Sequence, residues 1–161
     1  MVDRVLTYDA PPTGLRFMAS DARVRLIMGP VGSGKSTVSI MEVFRRCVEM
    51  PKGKDGKRRS RWVIIRNTLP QIKTTTKKSW DQWFPDGVYG QWKETDKTFY
   101  LRVNDVEAEI LFLPLDSPDD VQKLLSLELT GAFINEAREV APEIIQAVIS
   151  RLGRFPSRAM M

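Results

Sequence analysis

Two short stretches carry residue types whose spacing could do chemistry. The first is Gly29-Pro30-Val31-Gly32-Ser33-Gly34-Lys35-Ser36, which satisfies G-x-x-x-x-G-K-[ST]. Glycines let such a loop wrap until backbone N–H groups converge on phosphate oxygens, at the positive end of the helix that follows. Lys35 then reaches the β- and γ-phosphates as a point charge. Ser36 offers its hydroxyl to Mg2+, and Thr37 is the second, less well placed hydroxyl. No N-K-x-D element follows, so ATP rather than GTP is the expected nucleotide.

The second stretch is "LTGAFINEAREV", where the apolar run Ala132-Phe133-Ile134 ends abruptly in Asn135 and Glu136. Binding a triphosphate does not cut it. Hydrolysis needs a carboxylate to position water and a polar group on the metal side, delivered by a neighbouring strand. In doubly wound sheets such groups sit at the carboxyl ends of strands. Glu136 is the expected base or water-orienting group, and Asn135 is expected behind Mg2+, through water. A neutral amide supplies no charge, so Mg2+ binding without nucleotide should be weak. Two plainer readings remain open at this stage: the Asn-Glu pair could cap a following helix, and Glu139 could serve as well as Glu136.

The elements around these stretches set their context. Residues 24–28 read as a buried strand leading into the loop. Ile40, Val43, Phe44, Cys47 and Val48 then mark one face of a helix that Pro51 ends. The single cysteine, Cys47, falls on that face and reads as core. A polar loop, "KGKDGKRRSR", precedes a second buried strand, "RWVIIRN". A helix over 69–84 follows, with Ile72, Thr76, Trp80, Trp83 and Phe84 as its stripe, weakened by three threonines. "KTFYLRVNDVEAEILFLP" predicts a hairpin turning at Asn104-Asp105. A short helix opens at Ser117-Pro118, and the strand "LTGAFI" and a helix from Pro142, with Gly153 just past its end, complete the pattern. Strands alternating with helices predict an α/β fold with a mostly parallel central sheet flanked by helices and an antiparallel hairpin at one edge.

Composition narrows the classes. A chain of 161 residues reads as a single domain. It contains no histidine, which removes Ser-His-Asp chemistry and His-based metal sites, and one cysteine cannot form an internal disulfide. No apolar run reaches the length of a signal peptide or a membrane span, so a soluble, cytoplasmic protein without membrane contact is expected. The overall charge is +5, but ten Lys or Arg and one acid lie between Pro51 and Trp80. Lys52, Lys54, Lys57, Arg58, Arg59 and Arg61 precede the second strand's core, and Arg66, Lys73, Lys77 and Lys78 follow it. Such a cluster suits a polyanion or a partner subunit, and equally a solvated loop.

With these residues placed, the chain resembles the N-terminal ATPase region of a tailed-bacteriophage terminase large subunit. "IMGPVGSGKST" is similar to the family's Walker A, and "WVIIRNTLPQIKTTTKKSWDQWF" to its second strand and helix. "SLELTGAFINEARE" is similar to its Walker B, where an Asn-Glu pair is tolerated. The resemblance implies a RecA-like P-loop NTPase of the ASCE class, using ATP and Mg2+ to drive double-stranded DNA into a procapsid in the host cytoplasm. It implies a homo-oligomeric ring, with the portal protein and small terminase subunit as partners and DNA contacts to backbone alone. It also implies a basic finger at the γ-phosphate, for which Lys123 and Arg138 are candidates, ahead of Arg151 and Arg154. The family's coupling motif and acidic nuclease domain are expected to be absent, since no Asp or Glu follows Glu143. No glutamine lies upstream of the loop to read adenine, which leaves Tyr8 or Phe17 as stacking candidates. The competing readings are another P-loop nucleic-acid motor, such as a helicase, and a nucleotide-binding assembly module that scarcely hydrolyses.

Overall fold

A computed structural model describes residues 6–161 of the chain, with the side chain of Ala159 left out. The strongest apolar runs form the middle of one five-stranded sheet. In chain order its strands are β1 (Arg58–Arg66), β2 (Gly90–Lys93), β3 (Thr98–Val103), β4 (Val106–Pro114) and β5 (Gly131–Ile134). In space they run β2-β3-β4-β1-β5. Both β4 and β5 pair parallel to β1, whereas β2-β3 and β3-β4 are antiparallel. The expected hairpin turns where it should, with Asn104 at φ 52°. Strand β2, which extends it at the sheet edge, carried no clear sequence pattern.

Helices cover both faces. On one face lie α2 (Lys35–Glu49) and α4 (Lys77–Trp83), over Trp62, Ile64, Phe99, Ile110 and Phe112. On the other, α5 (Pro118–Ser126) and α6 (Pro142–Arg151) meet Val63, Ile65, Leu111 and Leu113. This two-sided cover explains why Trp62–Ile65 of β1 read as a continuous apolar run, whereas β4 alternates through Val106, Glu107, Ala108 and Glu109 before becoming wholly buried. Helix α5 starts as its sequence predicts: Ser117 and Asp120 form a reciprocal capping box. Gly153, at φ 74°, lies just past the end of α6.

Four expectations need correction. Residues 24–28 are not a buried strand. They pair with none of the five strands, and Val24, Leu26 and Met28 are 61%, 73% and 79% exposed. The reason is that an apolar run makes a strand only where a neighbour completes the hydrogen-bond ladder, and none of the described residues does so here. Second, the polar loop ends earlier than expected, because Arg58, Arg59 and Arg61 already belong to β1. Their charges are matched across the sheet by Asp105, Glu107 and Glu109. Third, the helix over 69–84 is interrupted: α3 (Leu69–Gln71) passes into a π-helical turn (Ile72–Thr76) before α4. Its stripe nevertheless holds at four of five positions, with Ile72, Thr76, Trp80 and Phe84 buried and Trp83 half-buried. Fourth, Val48 is exposed, although Ile40, Val43 and Cys47 of the same helix are buried.

One element was not foreseen. Helix α1 (Pro12–Ala19) lies against α2, and the segment beyond it is tied down by a buried carboxylate. Glu42 accepts from Arg25 Nη1 at 2.7 Å, Arg45 Nε at 2.8 Å and Arg46 Nε at 2.8 Å. The same arginines donate to the carbonyls of Phe17, Met18 and Ser20. Burial alone would raise the Glu42 carboxyl, but the three guanidiniums overcome it and hold it below the ordinary glutamate value. Cys47 is core, as expected: burial pushes its thiol up to about 12, only partly offset by the Ser60 hydroxyl that donates to Sγ at 3.2 Å.

Candidate nucleotide and carboxylate site

The loop over residues 29–36 runs directly into α2. Gly32 and Gly34 take φ 77° and 78°, the left-handed conformation that L side chains resist, and a Cβ at either would point into open space. Gly34 is the N-cap of α2 and supplies no side-chain acceptor, so the first N–H groups of the helix are not capped from within the loop. Lys35 Nζ folds over the loop and donates to the carbonyls of Gly29 at 2.7 Å and Pro30 at 2.6 Å, with Ser33 Oγ at 3.3 Å. An uncapped helix start beneath an ammonium group is a donor set that suits an anion. Ser36 and Thr37 are half-buried in the first turn, whereas Val31 stands fully exposed at the loop tip.

Helix α2 packs across β1, β4 and β5. The acidic stretch therefore sits at the end of a strand that this helix covers. Asn135 N donates to Ile65 O at 2.9 Å, which continues the pairing of β5 with β1 by one residue. The chain then turns sharply at Glu136, whose φ is 56°. A short 3-10 turn (Ala137–Glu139) follows, and Glu136 makes no side-chain cap to it. The plain capping explanation is thereby removed for Glu136. Its carboxylate is instead flanked by Arg66 Nη1 at 3.9 Å and Arg138 Nε at 3.3 Å. Glu139 faces elsewhere, accepting from Gln71 Nε2 at 3.5 Å.

The room at this strand depends on one glycine. A Cβ on Gly131 would lie 2.2 Å from the Trp62 ring, its register partner on β1. Asn135 is itself almost buried, and its Nδ2 donates to Thr76 Oγ1 at 3.0 Å. Thr76 was read only as a core position of its helix, because a hydroxyl in a threonine run gives no sign of its partner.

The other candidates are dispersed. Arg138 is exposed apart from its Glu136 contact, and Lys123 lies in the last turn of α5. Arg151 Nε is buried without a partner, and Arg154 Nε donates to Ser150 O. Tyr8 stands edge-on to Trp83 with ring centres 5.6 Å apart, and the Phe17 ring faces the Arg25 guanidinium at 4.9 Å. Both aromatics thus already have partners.

Most of the basic cluster is internally matched. Lys52 and Arg58 share Asp105, Lys57 and Arg59 meet Glu107, and Arg61 pairs with Glu109 at 2.6 Å while lying over the Phe155 ring. Lys73 and Lys77 pair with Glu94 and Asp81. Among the described residues Lys54 and Lys78 have no ion pair. Arg66 points inward, with its side chain 13% exposed.

No family model matches this chain, and no curated protein does. Its fold is similar to that of a phage large terminase. The solved structure is a large terminase from a thermophilic bacteriophage, matched with a TM-score of 0.73 over 91% of this chain at 9% identity. The chain spans 37% of that protein's length. At this identity the likeness is one of fold. Among the described residues no helix is long and apolar enough to cross a membrane.

Proposed function

We propose that this chain is the ATP-binding and ATP-hydrolysing module of a viral DNA-packaging motor of the large-terminase kind, with a P-loop, RecA-like core. The observation that carries the reading is the pairing of two chemistries on a terminase-like fold: an uncapped, lysine-covered helix start on α2, and a carboxylate at the end of β5, the strand that α2 covers. Residues 29–37 hold the triphosphate. Lys35 exchanges its loop carbonyls for phosphate oxygens, and Glu136 orients water and accepts its proton.

Ser36 and Asn135 are the residues that would hold Mg2+, which supplies charge neutralisation at the phosphate oxygens. The donor set fits a nucleotide-bound ion. Among the described residues no group of three or more His, Cys, Asp or Glu could hold a metal by itself, and Mg2+ commonly takes one or two protein oxygens plus phosphates and water. In this reading the partners are double-stranded DNA, a small terminase subunit, a portal protein and further copies of the chain in a ring, in the host cytoplasm. Lys123 and Arg138 remain the finger candidates.

One observation favours a second reading, a nucleotide-binding assembly module with little hydrolysis. The segment that leads into the loop lies outside the sheet, so the cradle lacks the strand support that would hold it against β5. Steady-state ATPase measurements with and without DNA separate the two. The motor reading expects Lys35→Ala to abolish nucleotide binding and Glu136→Gln to cut kcat by about 100-fold or more at little change in nucleotide affinity. Binding without turnover in the native chain would favour the second reading.

A further inference from the structure

Three threonines in a row, Thr74, Thr75 and Thr76, occupy the π-helical turn, and they do not behave alike. Thr74 Oγ1 donates to Pro70 O at 2.8 Å and Thr75 Oγ1 to Gln71 O at 2.5 Å, each closing on the helix four residues back. Thr76 makes no such bond back along the helix. Its hydroxyl is 1% exposed as part of the residue and accepts from Asn135 Nδ2 at 3.0 Å. Ile72, four residues back, and Trp80, four residues on, are buried as well, so Thr76 occupies the position of the helical stripe that faces the sheet.

The contact has a directional consequence. An asparagine amide has one donor end and one acceptor end, and only a neighbour of fixed polarity tells them apart. A hydroxyl can donate or accept, but Thr75 Oγ1 spends its proton on Gln71 O, so at the 3.5 Å contact between the two hydroxyls Thr76 donates and Thr75 accepts. Thr76 Oγ1 therefore meets Asn135 as an acceptor for Nδ2, and the uncommitted end of the amide is Oδ1. Among the described residues Oδ1 has no hydrogen-bond partner, yet it is not among the buried atoms lacking one, so it reaches solvent. We propose that Thr76 is a positioning residue: it holds the Asn135 amide with its oxygen, not its nitrogen, turned outward to accept from the water shell of a nucleotide-bound divalent cation. The inference rests on the ATPase reading above and assigns to Thr76 the task of orienting its metal-side residue.

Substituting Thr76→Val keeps the shape and removes the acceptor. Nδ2 then has no buried partner, and the two amide orientations cease to be distinguished. Thr76→Ser keeps the hydroxyl. Asn135→Asp makes the terminal group symmetric, since both carboxylate oxygens accept, and the Thr76 hydroxyl can rotate to donate to one of them.

The test is a Mg2+ titration of nucleotide binding across these variants, together with NMR exchange of the Asn135 side-chain amide protons in the metal-free native chain. Expected are slow exchange of those protons, about a tenfold rise in the Mg2+ half-saturation for Thr76→Val, and recovery in Thr76→Ser. In the Asn135→Asp background, Thr76→Val should shift the titration by much less. An equal shift in both backgrounds would mean that Thr76 acts through packing alone, and would overturn the proposal. Fast amide exchange in the native chain would overturn it too, and that measurement stands even if Thr76→Val does not fold. Native chain that binds nucleotide with no dependence on Mg2+ would defeat the ATPase reading and this inference together. Native Mg2+ dependence left untouched by Thr76→Val would defeat the inference alone.

Discussion

The guanidinium of Arg66, at the carboxyl end of β1, comes within 3.9 Å of the Glu136 carboxylate at the end of its neighbour β5. The two strands run parallel, so their ends fall on the same side of the sheet. Arg66 is nearly buried and its Nε has no partner, which leaves the outer part of its guanidinium as the working end. Glu136 turns towards it through a left-handed backbone conformation.

Removing Arg66 should therefore loosen Glu136 without touching the phosphate loop. Arg66→Ala is expected to lower kcat for ATP about tenfold, about 1.4 kcal/mol in barrier, while KM changes little. Steady-state kinetics at saturating Mg2+ would show it. A rise in KM at constant kcat would place Arg66 on the nucleotide instead.

Glu42 makes a prediction about acid stability. Its carboxyl is depressed in the folded chain, so the unfolded chain takes up the proton first as pH falls. The stabilisation is present above the ordinary value of 4.5 and is lost as pH drops through the lower folded value. Glu42→Gln should cost about 3 kcal/mol at pH 7, the low end for a broken buried pair because its arginines stay partly hydrated. Urea unfolding of both proteins should show that gap closing well below pH 4.5.

Gly131 has no room for a methyl group. Gly131→Ala puts a Cβ 2.2 Å from the Trp62 ring, so either the indole or β5 must shift. Overpacking of this kind costs about 1–3 kcal/mol, and a melt followed by circular dichroism should show Tm lowered by about 5 °C. If β5 is what yields, ATP turnover falls with it.

Ion pairing should blunt the basic cluster's affinity for DNA. With only Lys54 and Lys78 outside ion pairs among its described members, the slope of log affinity against log salt should be about −2. Fluorescence anisotropy with duplex DNA would measure it. Replacing Asp105, Glu107 and Glu109 by their amides should steepen the slope. A steep slope in the native chain would mean that the pairs open on DNA.

Much of this protein is written locally. The glycines and lysine of the loop, the stripe of α2 through Ile40, Val43 and Cys47, the Ser117-Pro118 start and the hairpin at Asn104-Asp105 all depend on neighbours a few residues away. Periodicity and turn chemistry report such neighbours directly. Even the abrupt end of β5 in Asn135 and Glu136 is visible as a change from apolar to polar. What tertiary structure decided is everything that depends on partners distant in sequence. Residues 24–28 carry a strand-like apolar run yet pair with no described strand. The cationic run from Lys52 to Arg61 looks free in one dimension and, Lys54 apart, meets Asp105, Glu107 and Glu109 in three. Glu42, one acid on an amphipathic helix, becomes the hub of three arginines only when α1 and its following segment pack beside it. Thr76, on the buried stripe of its helix, finds Asn135 only because the fold brings the end of β5 beside that stripe. Hydrogen bonds and ion pairs act over a few ångströms of space, and position along the chain does not encode which residues the fold will bring that close.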